Sequence, residues 1–182
     1  MESKKDIRRR VLDARKSITD EEWEEKSHRI FEKVVTHPFF LEAETIYCYI
    51  DYQKEVGVRE IIKEAWKLGK NVAVPKVEGM DMKFYYIQDL SELQCGYREI
   101  LEPTTDRVAE TEDGLVIVPG VAFDGDRNRI GYGKGFYDGY LKQHLQLKTI
   151  AVAFKLQIVE TVPADADDVR PEILITEEQI YV

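Results

Sequence analysis

Residues 115–138 constrain the fold of this chain more than any other stretch. Leu115-Val-Ile-Val118 is an apolar run bounded by Gly114 and Pro119, the pattern of a buried strand. Tyr137, Tyr140, Leu141, His144 and Leu145 recur at helical spacing and predict a helix over about residues 135–145. Between strand and helix, Arg127, Arg129 and Lys134 are set among Gly131, Gly133 and Gly135. Such a turn suits an anion, because backbone N–H groups converge there, the helix dipole favours negative charge and glycine permits close approach. The spacing is neither that of a Walker A loop nor that of the Gly-x-Gly-x-x-Gly dinucleotide fingerprint. Phosphate recognition is therefore expected, with a plain tight turn as the alternative.

Asp138 falls in the first turn of the same helix. A carboxylate there either complements the dipole or holds magnesium beside a phosphate. A second carboxylate is available from Asp165, Asp167 or Asp168, and spacing does not choose among them.

Upstream, residues 4–17 form an amphipathic helix by pattern, with Ile7, Val11, Ala14 and Ile18 on one stripe. Lys4 and Arg8, and likewise Lys5 and Arg9, are like charges four residues apart near a helix N-terminus. They repel each other and oppose the dipole, so they form either a solvated basic face or one with an anion nearby. Thr19 and Glu22 make a capping box opening a helix that carries Trp23, Ile30, Phe31 and Val34 and stops at His37-Pro38. A strand over 45–50, a loop over 51–57, a helix over 58–68 stopped by Gly69 and a strand over 71–75 read as a parallel crossover. Its loop places Glu55 beyond the carboxyl end of a strand, where ligands bind in such sheets, although a lone loop glutamate is by default a solvated one. Strands are expected at 82–87, 149–154 and 173–176, and residues 88–113 read as irregular with a short helix.

At 182 residues without a linker or repeat, the chain is expected to be one domain, residues 1–182. The net charge of −9 argues against non-specific nucleic-acid binding, so a local basic element at the N-terminus points to a particular anion. No apolar run is long enough to span a bilayer, and the start lacks a signal-peptide core, from which a cytoplasmic protein is expected. Cys48, inside an apolar run, reads as a buried inert thiol, and His28, His37 and His144 show no metal-ligand spacing.

With these residues assembled, the chain resembles the 5-formyltetrahydrofolate cyclo-ligase (5,10-methenyltetrahydrofolate synthetase) family over nearly its whole length. Val118-Pro-Gly-Val-Ala-Phe-Asp124 followed by Asn128-Arg-Ile-Gly-Tyr-Gly-Lys-Gly-Phe-Tyr-Asp138 carries most of the resemblance. The basic Lys4…Arg8 start, Glu55-Val56, Val74-Pro75, Leu101-Glu102-Pro103 and Asp168…Ile175-Thr176-Glu177 add to it. The resemblance implies a single α/β domain with a mostly parallel central sheet flanked by helices, a Rossmann-like three-layer fold. It implies an enzyme that uses ATP and Mg2+ to convert 5-formyltetrahydrofolate to 5,10-methenyltetrahydrofolate, working as a cytoplasmic monomer without nucleic acid or membrane. By matching position, Lys4, Lys5, Arg8, Arg129, Ile130, Gly131, Tyr132, Gly133, Lys134, Gly135, Phe136 and Tyr137 would contact ATP, with Lys134 and Tyr137 taking catalytic roles. Ile50 and Glu55 would contact the folate, and Asp138 and Asp168 would hold the metal. Two other readings stay open: an ATP-dependent transferase acting on another small phosphoryl acceptor, and a non-catalytic module whose basic helix binds RNA or an acidic partner.

Overall fold

The computed structural model describes residues 1–182, the side chain of Tyr97 excepted. Helix α1 (Lys4–Lys16) starts at Ser3, whose hydroxyl accepts the Asp6 N–H, and α2 (Asp20–Val35) starts with both halves of the Thr19–Glu22 capping box in place. His37-Pro38 ends α2 and also opens a short helix, α3 (Pro38–Glu42), with His37 as the cap and proline in the first turn. Strand β1 (Thr45–Cys48) leads through α4 (Arg59–Lys67) to β2 (Asn71–Glu78), the expected parallel crossover, and β3 (Asp81–Ile87) returns antiparallel. Residues 88–113, expected to be irregular with a short helix, hold a helical turn at Leu90–Glu92 and a small hairpin of β4 (Leu93–Cys95) and β5 (Leu101–Pro103). Residues 107–109 then cover the outer edge of β3, where the Tyr86 N–H donates to the Arg107 carbonyl at 2.8 Å.

Strand β6 (Leu115–Val118) does not run directly into the glycine turn. A two-stranded hairpin, β7 (Ala122–Phe123) and β8 (Arg129–Ile130), intervenes. Its bend is closed by the buried Asp124 carboxylate, which accepts the N–H groups of Asp126, Asn128 and Val162 and the Asn128 side-chain amide, each at 3.0 Å. Helix α5 (Phe136–Gln143) stops short of the expected residue 145, leaving Leu145 exposed. Strands β9 (Lys148–Val152), β10 (Ile173–Ile175) and β11 (Ile180–Tyr181) complete a seven-stranded sheet of order β11-β10-β9-β6-β1-β2-β3. Only the two edge strands are antiparallel to their neighbours.

The parallel strands are buried on both faces, which accounts for their unbroken apolar runs. With the period of two, Ile46, Cys48, Leu115, Ile117 and Ile150 face α2, α3 and α4, while Tyr47, Val116, Val118 and Ala151 face α5. Helix α1 lies over the β7–β8 hairpin, with Ile7 and Val11 packed on Val121, Ala122 and Ile130. Ala14, expected in that stripe, is exposed, and Arg15 is buried instead. At 100° per residue, positions 4, 8 and 15 lie within about 40° of one another, so the buried face of α1 is turned toward its Lys4–Arg8–Arg15 edge.

Candidate active site

The crossovers leaving β1 and β6 diverge to opposite faces of the sheet, and a crevice opens where the chain reverses direction between them. A cavity of about 620 Å3 occupies this position, lined by residues following β1 and β6, by Pro75 and Val77 of β2, by the glycine turn, and by Lys4 and Arg8 of α1. That volume suits a drug-sized ligand.

The glycine turn forms one wall. Gly133 (φ 99°) and Gly135 (φ 70°) sit in the left-handed region that glycine adopts without strain. Gly135 is the residue preceding α5 and offers no side-chain cap, so no capping side chain takes up the first N–H groups of the helix. Arg8 Nε donates to the Gly131 carbonyl at 2.9 Å, and its guanidinium lies 3.8 Å from where a Cβ on Gly133 would stand. Lys4 Nζ donates to Asp165 Oδ2 at 2.6 Å and to Asp168 Oδ2 at 2.7 Å. Arg129 is buried: Nη1 donates to the Pro119 carbonyl at 3.0 Å, Nη2 lies 3.4 Å from Asp138 Oδ1, and Nε has no partner among the described residues. Its guanidinium also lies 6.0 Å from the centre of the Tyr137 ring, whose buried hydroxyl is likewise unpartnered. Orphaned buried donors of this kind mark places that a ligand or water completes. Lys134 is exposed on the same wall, and Ile130 and Phe136 also line it.

Lys5 is not brought to this wall. It is exposed on α1 and does not line the cavity, because residues 4 and 5 lie about 100° apart on a helix.

Of the three acids that spacing left open, only Asp168 lines the cavity. Asp167 is exposed and paired with Lys142 at 2.7 Å, and Asp165 is exposed. Burial would raise the Asp168 carboxyl, but the Asp165 N–H, Lys4 and Arg129 outweigh it and hold the group below its ordinary value. Asp138 accepts the Val169 N–H at 2.9 Å. These two carboxylates are hard oxygen donors on one cavity wall, and no third His, Cys, Asp or Glu joins them among the described residues. That donor set fits Mg2+, which usually keeps waters and takes one or two carboxylates with phosphate oxygens.

The loop after β1 forms the opposing wall. Gln53 (φ 48°) and Lys54 (φ 62°) are two consecutive non-glycine residues in the left-handed region, a strained turn of about 1 kcal/mol or more per residue. The neighbouring helix holds it in place. Lys54 pairs with Asp20, the Trp23 indole donates to the Glu55 carbonyl at 2.7 Å, and the Gly57 N–H donates to Ser27 Oγ at 3.0 Å. The turn directs Glu55 inward, where its Oε1 accepts the Tyr52 N–H at 2.8 Å. Glu55 is therefore not a solvated loop residue: it is 9% exposed and lines the cavity beside Ile50. Burial pushes its carboxyl up to about 7, against the opposing pull of Arg15, the Tyr52 N–H and Tyr132. Cys48, just before this loop, is buried as expected, and burial pushes its thiol up.

Tyr49, Tyr52, Pro75, Met82, Leu101 and Glu102 also line the cavity and were not singled out as site residues in the sequence. Pro75, Leu101 and Glu102 fall within two of the weaker sequence matches, Val74-Pro75 and Leu101-Glu102-Pro103, whereas Tyr49, Tyr52 and Met82 carry no such signal.

The sequence profile of the 5-formyltetrahydrofolate cyclo-ligase family matches residues 1–177. The chain belongs to this family. It is 31% identical to the mouse 5-formyltetrahydrofolate cyclo-ligase, with 97% of this chain and 94% of that one aligned. The enzyme of the same name from Escherichia coli K12 is 26% identical over 94% of this chain and 98% of its own. Among solved structures, the 5,10-methenyltetrahydrofolate synthetase of Aquifex aeolicus superposes with a TM-score of 0.86 at 31% identity, covering 97% of this chain and 91% of that one. Its fold agrees with the seven-stranded, mostly parallel arrangement described above.

Proposed function

We propose that this protein converts 5-formyltetrahydrofolate to 5,10-methenyltetrahydrofolate at the expense of ATP, releasing ADP and phosphate. The observation that carries the reading is the pairing of opposite chemistries in one cavity. A glycine turn with Lys4, Arg8, Arg129 and Lys134 faces a loop that presents one buried carboxylate, Glu55. The first wall suits a polyphosphate, and the second suits a neutral, hydrogen-bonding ring.

In this reading the γ-phosphoryl group passes to the formyl oxygen, which turns a poor leaving group into a good one. The folate nitrogen at position 10 then attacks the formyl carbon and gives up its proton to solvent or the leaving phosphate, the ring closes, and phosphate departs with that oxygen. No protein nucleophile is needed, so catalysis rests on positioning and charge neutralisation. Lys4, Arg8, Arg129, Lys134 and the N–H groups of the turn would bind phosphate oxygens, and the Tyr137 hydroxyl would complete its hydrogen bonding on the transferred group. Mg2+, held by Asp138 and Asp168, would supply further neutralisation of phosphate charge. Ile50 would pack against the pterin, and the Glu55 carboxylate would accept N–H donors from its polar edge.

The basic start of the chain supports a small anion over RNA. Lys4 and Arg8 line the cavity, while Arg9 and Arg10 pair with Asp6 and Glu2 on the exposed side of the helix. The same proposal has residues 1–182 acting as one domain, as a cytoplasmic monomer. Among the described residues no helix is long and apolar enough to cross a membrane. Incubation with 5-formyltetrahydrofolate, ATP and Mg2+ should produce the methenyl absorbance with one ADP per product. Absence of that product would sink the reading, and a dimer in sedimentation would remove the monomer from it.

A further inference from the structure

Arg15 does not line the cavity and has no part in the reading above, yet it is a buried charge, 2% exposed. Its Nη2 donates to the Tyr132 hydroxyl at 2.8 Å, its guanidinium lies 5.8 Å from the centre of that ring, and Nη1 has no partner among the described residues. A guanidinium buried with so little hydrogen bonding is unfavourable, and an aliphatic residue would fill the same place beside Ile7 and Val11 at lower cost. The charge therefore does something that packing does not require. Tyr132 shows what that is. It stands between Gly131 and Gly133 in the turn that lines the cavity, 47% exposed overall, with its hydroxyl turned inward to Arg15.

We propose that Arg15 is a positioning residue for the cavity: it fixes the Tyr132 hydroxyl, and so holds that side chain and its own charge where they set the surroundings of the Glu55 carboxyl, which lines the same cavity. The hydrogen bond ties α1 to the turn before α5, and the loop after β1 lines the same cavity. The groups that act on Glu55 come from each of them. Arg15 approaches from α1, Tyr132 from the turn and the Tyr52 N–H from its own loop, and all three favour the ionised form. Asp51 in the same loop opposes it, while Tyr49 at the end of β1 and Tyr137 of α5 are coupled to Glu55 as neutral phenols that burial keeps protonated. Arg15 supplies the positive charge in this set. Lys4 and Arg8, on the same edge of the helix, serve the other wall, so one face of α1 addresses both.

The inference rests on the proposed cyclo-ligase reading for its kinetic consequences, but the contact itself can be measured without activity. Arg15→Met removes the charge at similar volume, Arg15→Lys restores a charge without the planar fork, and Tyr132→Phe removes the hydroxyl while leaving Arg15 in place. In carboxyl 13C NMR titrations, with the Glu55 signal assigned by its loss in Glu55→Gln, Arg15→Met and Tyr132→Phe should move the Glu55 midpoint upward, by about one unit for Arg15→Met. Arg15→Lys should recover part of that shift. In the absorbance assay, Arg15→Met should lower kcat/KM for 5-formyltetrahydrofolate by about tenfold and shift its acid limb to higher pH, with the apparent KM for ATP changed less than about twofold. If Arg15→Met fails to fold, Tyr132→Phe alone decides, since that ring is half exposed. An unmoved Glu55 midpoint in a folded variant overturns the proposal. A wild-type protein that forms no methenyl product, but whose Glu55 midpoint still responds, overturns the cyclo-ligase reading and leaves the contact standing.

Discussion

The two walls of the cavity meet opposite electrostatic problems. The glycine-turn wall gathers cations at a helix N-terminus, where like charges repel, and it relieves the repulsion with Asp165, Asp168, Asp138 and the Gly131 carbonyl. The wall after β1 does the reverse. It buries one carboxylate, so that loss of solvent outweighs Arg15, the Tyr52 N–H and Tyr132 and lifts Glu55 to about 7. A wall of paired charges is stable without a ligand. The carboxylate wall is held in an unfavourable state by its surroundings, by the strained turn at Gln53 and Lys54 and by the α2 contacts that brace it. Sites poised for chemistry often carry such strain.

The largest effect that would break this comparison is expected from Glu55→Gln. Activity should fall by about 100-fold or more, because the substituted amide no longer presents an ionised acceptor. Stability should move the other way. The folded carboxyl titrates above its ordinary value of 4.5, so the native state holds its proton longer than the unfolded one, and stability is lost as pH rises from about 4.5 through about 7. Above pH 7 the variant should therefore be more stable than the parent by up to about 3 kcal/mol, with no advantage at pH 4. Urea melts at both pH values measure this, and equal differences at the two would show that Glu55 is not held against its preference.

The opposing wall should respond in the opposite sense. Lys134→Ala should raise the apparent KM for ATP by about tenfold and leave stability within about 0.5 kcal/mol, since the side chain is exposed. Unchanged kinetics would remove Lys134 from the phosphate site. Gly135→Ala probes the backbone of the same wall. It meets no steric contact, but its left-handed conformation should cost about 1 kcal/mol in denaturant melts, and a neutral result would show that the turn relaxes freely.

A smaller effect concerns pH. In the parent protein kcat/KM for the folate should rise with pH to a plateau, with an apparent pKa near 7 that belongs to Glu55. A profile flat from pH 5.5 to 8 would break the assignment. The smallest effect should come from the brace behind the carboxylate wall. His28 on α2 bonds Glu60 on α4 at 2.8 Å, and the hydrogen bond and charge of Glu60 raise it above its ordinary value. That contribution is complete below about pH 6.5 and fades as pH rises through the folded value. His28→Ala should lower the thermal midpoint slightly at pH 6 and not at pH 9, without altering activity.

The difference between the walls also explains what could be read in advance. The glycine turn, its flanking cations and Asp138 are contiguous, so their shared purpose shows in one stretch of chain. Glu55 was identifiable as a residue beyond a strand end, but its burial depends on Trp23, Ser27 and Tyr132, which approach from elsewhere in the chain. Of the stripe expected on α1, Ile7, Val11 and Ile18 are buried and only Ala14 is not, for a related reason. Periodicity finds the apolar face of a helix, whereas the direction in which that face is rotated depends on what it packs against. The β7–β8 hairpin is too short to give a periodic signal, and Asp124, which closes it, bonds to Val162 far along the chain.

From its sequence alone this protein was determined to alternate strands and helices, to form a parallel crossover after β1, and to carry a cationic glycine turn at a helix start. These are local properties, set by apolar period, capping and glycine placement over a few residues. Tertiary structure decided which acid lines the cavity, why Lys4 faces it and Lys5 does not, and that Glu55 and Arg15 are buried. Those outcomes depend on the approach of distant segments, which removes water from one side chain and leaves its neighbour solvated.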